Sequence, residues 1–332
     1  MIRPQSRPFF GVRDLLERFF LHRMIVFATL VLTLALGCAP EEAARSSDRL
    51  QVVATTGMIA NLVSEVGGDR VDVVGLMGPG VDPHYYKATQ GDLRHLTNAD
   101  LIFYNGLFLE GKMEDIFKKM SRNKTVVAVA HTLSEGLRGE NVGRLRRPPE
   151  FKGHFDPHIW FDVGLWSLTI AVVDSTLSAA EPANADSFHA RAARYAQQLD
   201  ELDAWVQAQI NTIPVPRRVL ITAHDAFGYF GKAYGLEVLG LQGISTVAEY
   251  GVNDVRRLVA MISERKIPAI FVESSVPERS INAVREGCLA RGHEVVIGGT
   301  LYSDAMGAAG SGADTYVGMV RTNVATIAGA LR

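Results

Sequence analysis

The alternation of short strand-like runs with helix-like segments is the feature that most constrains the fold of this chain. In both halves, short runs rich in Val, Ile and Leu are followed by segments in which apolar residues recur every three or four positions. Parallel strands need crossover connections, usually helices, so this alternation predicts βαβ units and mostly parallel sheets. The predicted strands are residues 51–54, 71–76, 101–104 and 126–129 in the first half, and 218–222, 236–241, 269–272 and 294–297 in the second.

A long segment without strand character, residues 182–213, separates the two halves. Pro182 suits the start of a helix, and Pro214 suits its end. About 28 helical residues would span roughly 40 Å, which is long for a globular protein. The sequence therefore predicts an α/β fold of two lobes, 51–181 and 214–332, joined by one long rigid helix.

The N-terminus has the pattern of an export signal. Arg13, Arg18 and Arg23 precede an apolar run, residues 24–36, and the run is followed by Gly37 and Cys38. About a dozen apolar residues are too few to span a bilayer but suit a signal peptide. The ending resembles a bacterial lipobox, which predicts a signal peptide over 1–38, lipidation of Cys38 and a polar tether over 39–50. An ordinary cleaved signal is the alternative, and Met24 is an alternative start; each version predicts export to the periplasm or the cell surface.

Composition narrows the possible partners. The formal net charge is −2, so the chain has no basic field to attract nucleic acid. With only two cysteines in 332 residues, we expect no disulfide framework. Neither property indicates what the protein binds.

The tripeptide Asp-Pro-His occurs twice, ending at His84 and at His158. Proline fixes its own φ and favours an extended residue before it, so each histidine is presented from a stiffened loop. A lone histidine in such a loop is more often a turn or surface residue. A shared context favours the alternative, that the two residues form half of a metal site.

Two further residues complete a possible ligand set. His224 follows the predicted strand 218–222, and Asp304 follows the predicted strand 294–297. Ligands of open α/β sheets bind beyond the carboxyl ends of the strands. Three imidazoles and one carboxylate would make a site with four protein ligands. Glu273 ends another strand at the same crevice, either orienting a ligand histidine or capping a loop.

Several ordered motifs now allow a comparison with a known family. The chain resembles the metal-binding lipoproteins of bacterial ABC importers, the cluster A-I solute-binding proteins for zinc and manganese, over residues 51–332. The motifs that carry the resemblance are VDPHYYKATQGDLRHLTNADLIFYNGLFLE, DPHIWFD, ITAHDAFGYFGKAYGLEVLGLQGIST, IFVESSVPERSI and GGTLYSDAMG. The resemblance implies two α/β lobes, one long helix, and one buried metal held by His84, His158, His224 and Asp304.

The resemblance also implies a transport function. The chain would capture zinc or manganese as a transported ligand, one ion per chain, without an organic cofactor. It would act as a monomer on a lipid anchor and deliver the metal to an ABC permease with its ATPase. Manganese relatives often have Glu at the third ligand position, where this chain has His224. Zinc relatives often have a His-rich loop before the second ligand, where this chain has His154 alone and three arginines. The combination most resembles members that bind both metals.

Two other functions remain open at this point. A metal-dependent hydrolase would need an open coordination position, which four protein ligands do not leave, so we expect no enzymatic activity. A lipid-anchored adhesin or interaction module with a structural metal is the second alternative. Nothing in the residues excludes it as an additional role.

Overall fold

The computed structural model describes residues 48–135, 144–151 and 153–332. The predicted signal peptide, Cys38 and most of the predicted tether lie outside these residues and stay predictions. The first strand begins at Leu50, so the last residue of the predicted tether belongs to a sheet.

The first half consists of four strands and the helices that connect them. Its elements are β1 (Leu50–Ala54), α1 (Gly57–Gly67), β2 (Val71–Gly75), α2 (Gln90–Asn98), β3 (Leu101–Tyr104), α3 (Glu114–Met120), β4 (Thr125–Ala128), α4 (His131–Glu135), α5 (Val163–Ser167) and α6 (Ile170–Ala180). The strands form one parallel sheet in the order β2-β1-β3-β4. Every predicted strand of this half is present within one residue, as the alternating pattern required.

The second half also has four strands with connecting helices, but its strands form two two-stranded sheets. Its elements are β5 (Val219–His224), α8 (Gly228–Tyr234), β6 (Glu237–Gln242), α9 (Val252–Arg265), β7 (Ala269–Glu273), α10 (Arg279–Ala290), β8 (Val296–Leu301) and α11 (Tyr316–Leu331), the intervening α7 being the long helix described below. Strand β5 pairs in parallel with β6, and β7 pairs in parallel with β8. Strands β5 and β7 lie side by side, so their carboxyl ends meet at one edge.

The last strand differs from the prediction, which placed it at 294–297. Strand β8 starts two residues later and continues through Gly298 and Gly299 to Leu301. The two glycines allow a close approach of neighbouring side chains. A Cβ at Gly298 would lie 2.7 Å from the ring of Phe271, and one at Gly299 would lie 2.6 Å from Thr326. The longer strand ends three residues before Asp304.

The predicted long helix is present as α7, Ala185–Ile210. Its buried residues follow each other at intervals of three or four and form one stripe: Phe188, Ala192, Tyr195, Leu199, Leu202, Val206 and Ile210. The helix packs against α1, α5 and α6 of the first half and against α8 and α11 of the second. The prediction of a parallel α/β fold with one long helix is therefore confirmed.

Residues of both halves share the main core. The described chain from Arg49 onward forms one compact unit, and its largest apolar cluster runs from Val52 to Leu331. Tyr316, at the start of α11, is fully buried; its hydroxyl donates to the carbonyl of Trp160, and its backbone N–H donates to Asn61. The division into lobes at 181 and 214 stays a prediction.

Among the described residues, one stretch, Val163–Ala180, is long and apolar enough to cross a membrane. It is divided into the helices α5 and α6. Leu165, Trp166, Val173 and Leu177 on these helices are buried in the main core. Core helices commonly pass such a test of length and composition, so packing accounts for the apolar character here.

Candidate metal centre

The four residues predicted as ligands lie together in the interior. One potential ligand atom from each of His84, His158, His224 and Asp304 lies within 4.8 Å of all the others. None of the four residues is more than 3% exposed. The sequence separates them by up to 220 positions, so only the fold brings them together.

The donor atoms point at one another. Nε2 of His224 lies 3.2 Å from Oδ2 of Asp304, and Nε2 of His158 lies 3.4 Å from Oδ1 of the same carboxylate. Nε2 of His84 is 3.4 Å from Nε2 of His158 and 3.8 Å from Asp304. Three imidazole nitrogens therefore surround one carboxylate.

The first Asp-Pro-His copy stands on the loop after β2. The backbone N–H of His84 donates to Oδ1 of Asp82 at 2.9 Å, which closes a turn around Pro83. Oδ2 of Asp82 accepts from the hydroxyl of Thr246 at 2.7 Å, and Thr246 belongs to the second half. Within the described residues, Nδ1 of His84 has no hydrogen-bond partner. This histidine is held through its backbone and through a contact between the halves.

The second copy repeats the turn but holds its side chain differently. The backbone N–H of His158 donates to Oδ1 of Asp156 at 3.0 Å, and Nδ1 of His158 donates to the same oxygen at 2.8 Å. That bond leaves Nε2 of His158 as the nitrogen available to a metal. Asn105 donates to the carbonyl of Pro157 at 3.1 Å and fixes the loop from the other side.

His224 is the last residue of β5, although the sequence predicted the strand to end at Thr222. Glu273 ends the adjacent strand β7. Oε1 of Glu273 accepts from the backbone N–H of His224 at 2.8 Å, and Oε2 lies 2.5 Å from Nδ1 of the imidazole. The neighbouring ends of β5 and β7 thus place a carboxylate behind the ring, which is the position of an orienting residue, one of the two roles that the sequence left open for Glu273.

Asp304 is positioned by contacts around the preceding residue. The carbonyl of Ser303 accepts from Nε1 of Trp160 at 3.0 Å, and its hydroxyl lies 2.8 Å from that of Ser275. The ring of Trp160 also lies 5.2 Å from the ring of His158, measured between centroids. One tryptophan of the first half therefore contacts the surroundings of ligands from both halves.

The pKa of one imidazole is shifted in the opposite direction from the pKa values of the other two. Burial is the largest cause of the lowered pKa of His84, which falls to about 3. Asp304 opposes this shift, whereas His158 and His224 add to it. His84 is therefore neutral at physiological pH, as a ligand must be.

The other two imidazoles are strongly basic. Burial acts to lower the pKa of His158, but Asp156 and Asp304 outweigh it and raise this pKa to about 9. Burial also acts to lower the pKa of His224, yet Glu273 and Asp304 raise it well above its ordinary value. Burial acts to raise the pKa of Asp304, but His224 and His158 hold it well below its usual range. A metal ion must displace protons from two of these imidazoles.

The polar atoms of the cluster fit a cation. Within the described residues, Nε2 of His224 and both carboxylate oxygens of Asp304 have no hydrogen-bond partner. A buried polar atom without a partner is costly, so polar atoms that converge without hydrogen-bond partners indicate a ligand. Three nitrogens with one oxygen suit zinc, and they also accept other divalent transition metals.

Sequence reasoning missed the residues that support the second copy. Arg146 contacts Asp156, and the hydroxyl of Tyr229 donates to the carbonyl of Asp156 at 2.9 Å. Asn105, which bonds the carbonyl of Pro157, carries no sequence signal of this role either. Hydrogen bonds between residues so far apart leave no periodic signal, and the only indication was an arginine ten positions before the motif.

Comparison with known proteins gives a consistent group. The profile of one family, ZnuA, described as zinc-uptake complex component A, periplasmic, matches residues 52–330. The manganese-binding lipoprotein MntA of Bacillus subtilis is 48% identical over 310 residues, which cover 93% of this chain and 97% of that protein. The zinc-binding protein TroA of Treponema pallidum is 50% identical over 282 residues, covering 84% of this chain and 88% of that protein.

The solved structures agree with the sequence comparison. The periplasmic zinc-binding protein TroA from Treponema pallidum superposes with a TM-score of 0.79 at 50% identity. The match covers 85% of this chain and 99% of the solved one. The likeness thus extends over nearly the whole described chain.

Proposed function

Because the chain belongs to the ZnuA family of periplasmic metal-uptake components, we propose that it is the solute-binding component of an ABC importer for a divalent transition metal. It captures the ion outside the cytoplasm and delivers it to a membrane permease with its ATPase. The single observation that carries this proposal is the buried convergence of three imidazoles on one carboxylate.

The proposed ligands are Nε2 of His84, His158 and His224 and the carboxylate of Asp304. Glu273 orients His224 from behind. Carboxylates that accept a hydrogen bond from a ligating imidazole fix its tautomer and ring orientation. Asp156 has this role for His158, through the 2.8 Å bond to Nδ1.

The cargo is zinc or manganese. Relatives of similar identity are named for different metals, manganese in Bacillus subtilis and zinc in Treponema pallidum. Imidazole-rich sites bind zinc more tightly than manganese, because manganese favours oxygen ligands and stands lower in the general affinity order. We therefore expect higher affinity for zinc in vitro, with availability deciding which metal is carried in the cell.

Capture requires the two halves to act together. His84 and His158 belong to the first half, and His224 and Asp304 belong to the second, so a bound ion bridges them. An ion that binds only this arrangement stabilises it by mass action. The same four ligands leave no position for an activated water, which supports a transport role rather than hydrolysis.

The location of the protein follows from the N-terminal pattern. We propose that the chain is exported, lipidated at Cys38 and held at the membrane as a monomer, with residues 39–50 as its tether. The lobes predicted at 51–181 and 214–332 would then face the permease with the metal between them.

Metal titration of the purified protein tests the proposal. The wild type should bind about one zinc ion per chain, and the double variant His84→Ala/His224→Ala should lose high-affinity binding. The matched control is His95→Ala/His189→Ala, which removes two exposed imidazoles and should bind as the wild type does. Wild-type affinity and stoichiometry in the first double variant would refute the ligand assignment.

A further inference from the structure

One arginine next to the metal centre, Arg146, contacts more than the second Asp-Pro-His copy. Arg146 lies in the segment 144–147, ten residues before Asp156, and its side chain is only 23% exposed. Its Nη1 lies 2.5 Å from Oδ2 of Asp156, and its Nη2 lies 3.7 Å from Oδ2 of Asp225. A single guanidinium therefore contacts carboxylates of both halves.

Both carboxylates adjoin proposed ligands. Asp156 uses its other oxygen to hold Nδ1 of His158. Asp225 directly follows His224, and its backbone N–H donates to the carbonyl of Gln242 at the end of β6. On each side of the cleft, Arg146 thus contacts an aspartate that is a close sequence neighbour of a proposed ligand.

The backbone around Arg146 is also attached to the second half. Tyr229 on α8 accepts a hydrogen bond from the backbone N–H of Arg146 at 3.1 Å, and its hydroxyl donates to the carbonyl of Asp156. Lys232, one turn further along α8, donates to the carbonyl of Arg144 at 3.0 Å. These bonds hold the segment 144–147 against the helix that follows His224.

Gly228 independently indicates that the fold leaves a specific space for the guanidinium of Arg146. It is the first residue of α8, and a Cβ added there would lie 1.3 Å from Nη1 and 1.9 Å from Cζ of Arg146. Any other residue at 228 would displace the guanidinium. The helix itself does not require glycine at this position, because the φ of Gly228 is not positive.

We propose that Arg146 is a positioning residue for metal capture, which holds the loop of His158 and the loop of His224 in register. This inference rests on the proposed function. The planar guanidinium can bind two carboxylates at fixed angles, which an ammonium group does not reproduce. Arg146 thereby retards release of the metal, because opening the cleft must break its contacts with one side.

A purely electrostatic role predicts the opposite sign. Arg146 is a cation close to a site for a cation, so removing its charge alone would strengthen metal binding. Positioning predicts weaker binding when the side chain is removed, since supporting partners of ligating residues typically contribute 10–100-fold in affinity. The direction of the change therefore separates the two roles.

The first experiment compares Arg146→Ala and Arg146→Lys with the control Arg147→Ala. Arg147 stacks on the ring of Phe155, with Cζ 4.2 Å from its centroid, and contacts neither carboxylate. We expect Arg146→Ala to bind zinc about 10–100-fold more weakly, mainly through faster release to a chelator. Lysine should not restore the affinity, and Arg147→Ala should match the wild type. The visible spectrum of bound Co²⁺ should change in the two Arg146 variants, because it reports the geometry of the ligands.

The second experiment displaces the guanidinium without removing it. Gly228→Ala should weaken zinc binding to about the same extent as Arg146→Ala, and the two changes together should be no worse than either alone. Thermal unfolding of each variant without metal checks that it is folded. Zinc binding by Arg146→Ala that is as tight as in the wild type, or tighter, would overturn the positioning role. Full rescue by Arg146→Lys or additive losses in the double variant would also overturn it. If the wild type binds no zinc, the proposed function fails instead.

Discussion

The two Asp-Pro-His copies have the same sequence and the same turn, but they are stabilised in different ways. In each, the aspartate accepts a hydrogen bond from the backbone N–H of the histidine two positions later. Asp156 also binds the ring of His158. Within the part of the chain that the structure describes, Asp82 makes no hydrogen bond to the ring of His84 and instead accepts from Thr246, across the cleft.

This difference assigns different tasks to the two histidines. The ring of His158 is oriented by the aspartate of its own loop. The loop of His84 has its own backbone turn, and its aspartate also bonds Thr246 of the second half. The repeated motif thus supplies one ligand whose ring is held by its own aspartate and one whose aspartate instead bonds the other half.

The largest expected difference between the copies concerns protons. With its pKa lowered to about 3, His84 has no proton to lose at neutral pH, whereas His158, with a pKa of about 9, and His224 must each release one. Raising the pH removes these competing protons, so metal affinity should rise with pH up to about 9. Two displaced protons correspond to a change of about 100-fold per pH unit.

Calorimetric titrations with zinc in buffers of different ionisation enthalpy would count the protons released. About two per metal ion are expected at neutral pH. An affinity that does not change between neutral pH and the pKa of His158 would contradict the assignment of a proton to that ring.

Substituting the two aspartates tests the comparison directly. Asp156→Asn removes the charge that orients His158 and binds Arg146, and we expect zinc affinity to fall about 10–100-fold. Asp82→Asn is the matched change; it keeps an acceptor for the backbone N–H of His84 and a donor for Thr246, so its loss should stay below about tenfold. Competition titrations at neutral pH measure both. Equal losses would show that the two copies are equivalent after all.

Removing the hydrogen bond between Thr246 and Asp82 across the cleft should have the smallest effect on zinc affinity. Thr246→Val keeps the shape of the side chain but removes its bond to Asp82, which is worth about 1 kcal/mol, or about fivefold in zinc affinity. Thr326→Val is the control, because that hydroxyl donates to the carbonyl of Thr322 within α11. If the control loses as much zinc affinity as Thr246→Val, the bond between Thr246 and Asp82 makes no specific contribution to metal binding.

The sequence predicted the α/β fold, the long helix and the four candidate ligands, because each depends on a local signal. Strands and helices follow from periodicity. His224 and Asp304 stand at or shortly after the ends of strands, and His84 and His158 carry the repeated Asp-Pro-His motif. The structure groups His84, His158, His224 and Asp304 as predicted. The boundaries of β8 were wrong, because the strand continues through Gly298 and Gly299, where a Cβ would collide with Phe271 and Thr326 respectively.

The supporting residues were not predictable in the same way. Arg146 meets Asp225 across 79 positions, and Tyr229 meets Asp156 across 73. Neither pair has a spacing that a helix or a strand imposes. What a local pattern specifies is the loop on which a ligand stands, and what it leaves open is the partner behind that ligand.

The place of Trp160 gives the molecule an optical reporter of its own state. Its indole N–H binds the carbonyl before Asp304, and its ring lies beside the imidazole of His158. Emission from an indole responds to nearby charge, which changes when a proton on that imidazole gives way to a metal ion. Loading and unloading can therefore be followed by intrinsic fluorescence without attaching a dye, and a Trp160→Phe variant supplies the background of Trp166 and Trp205.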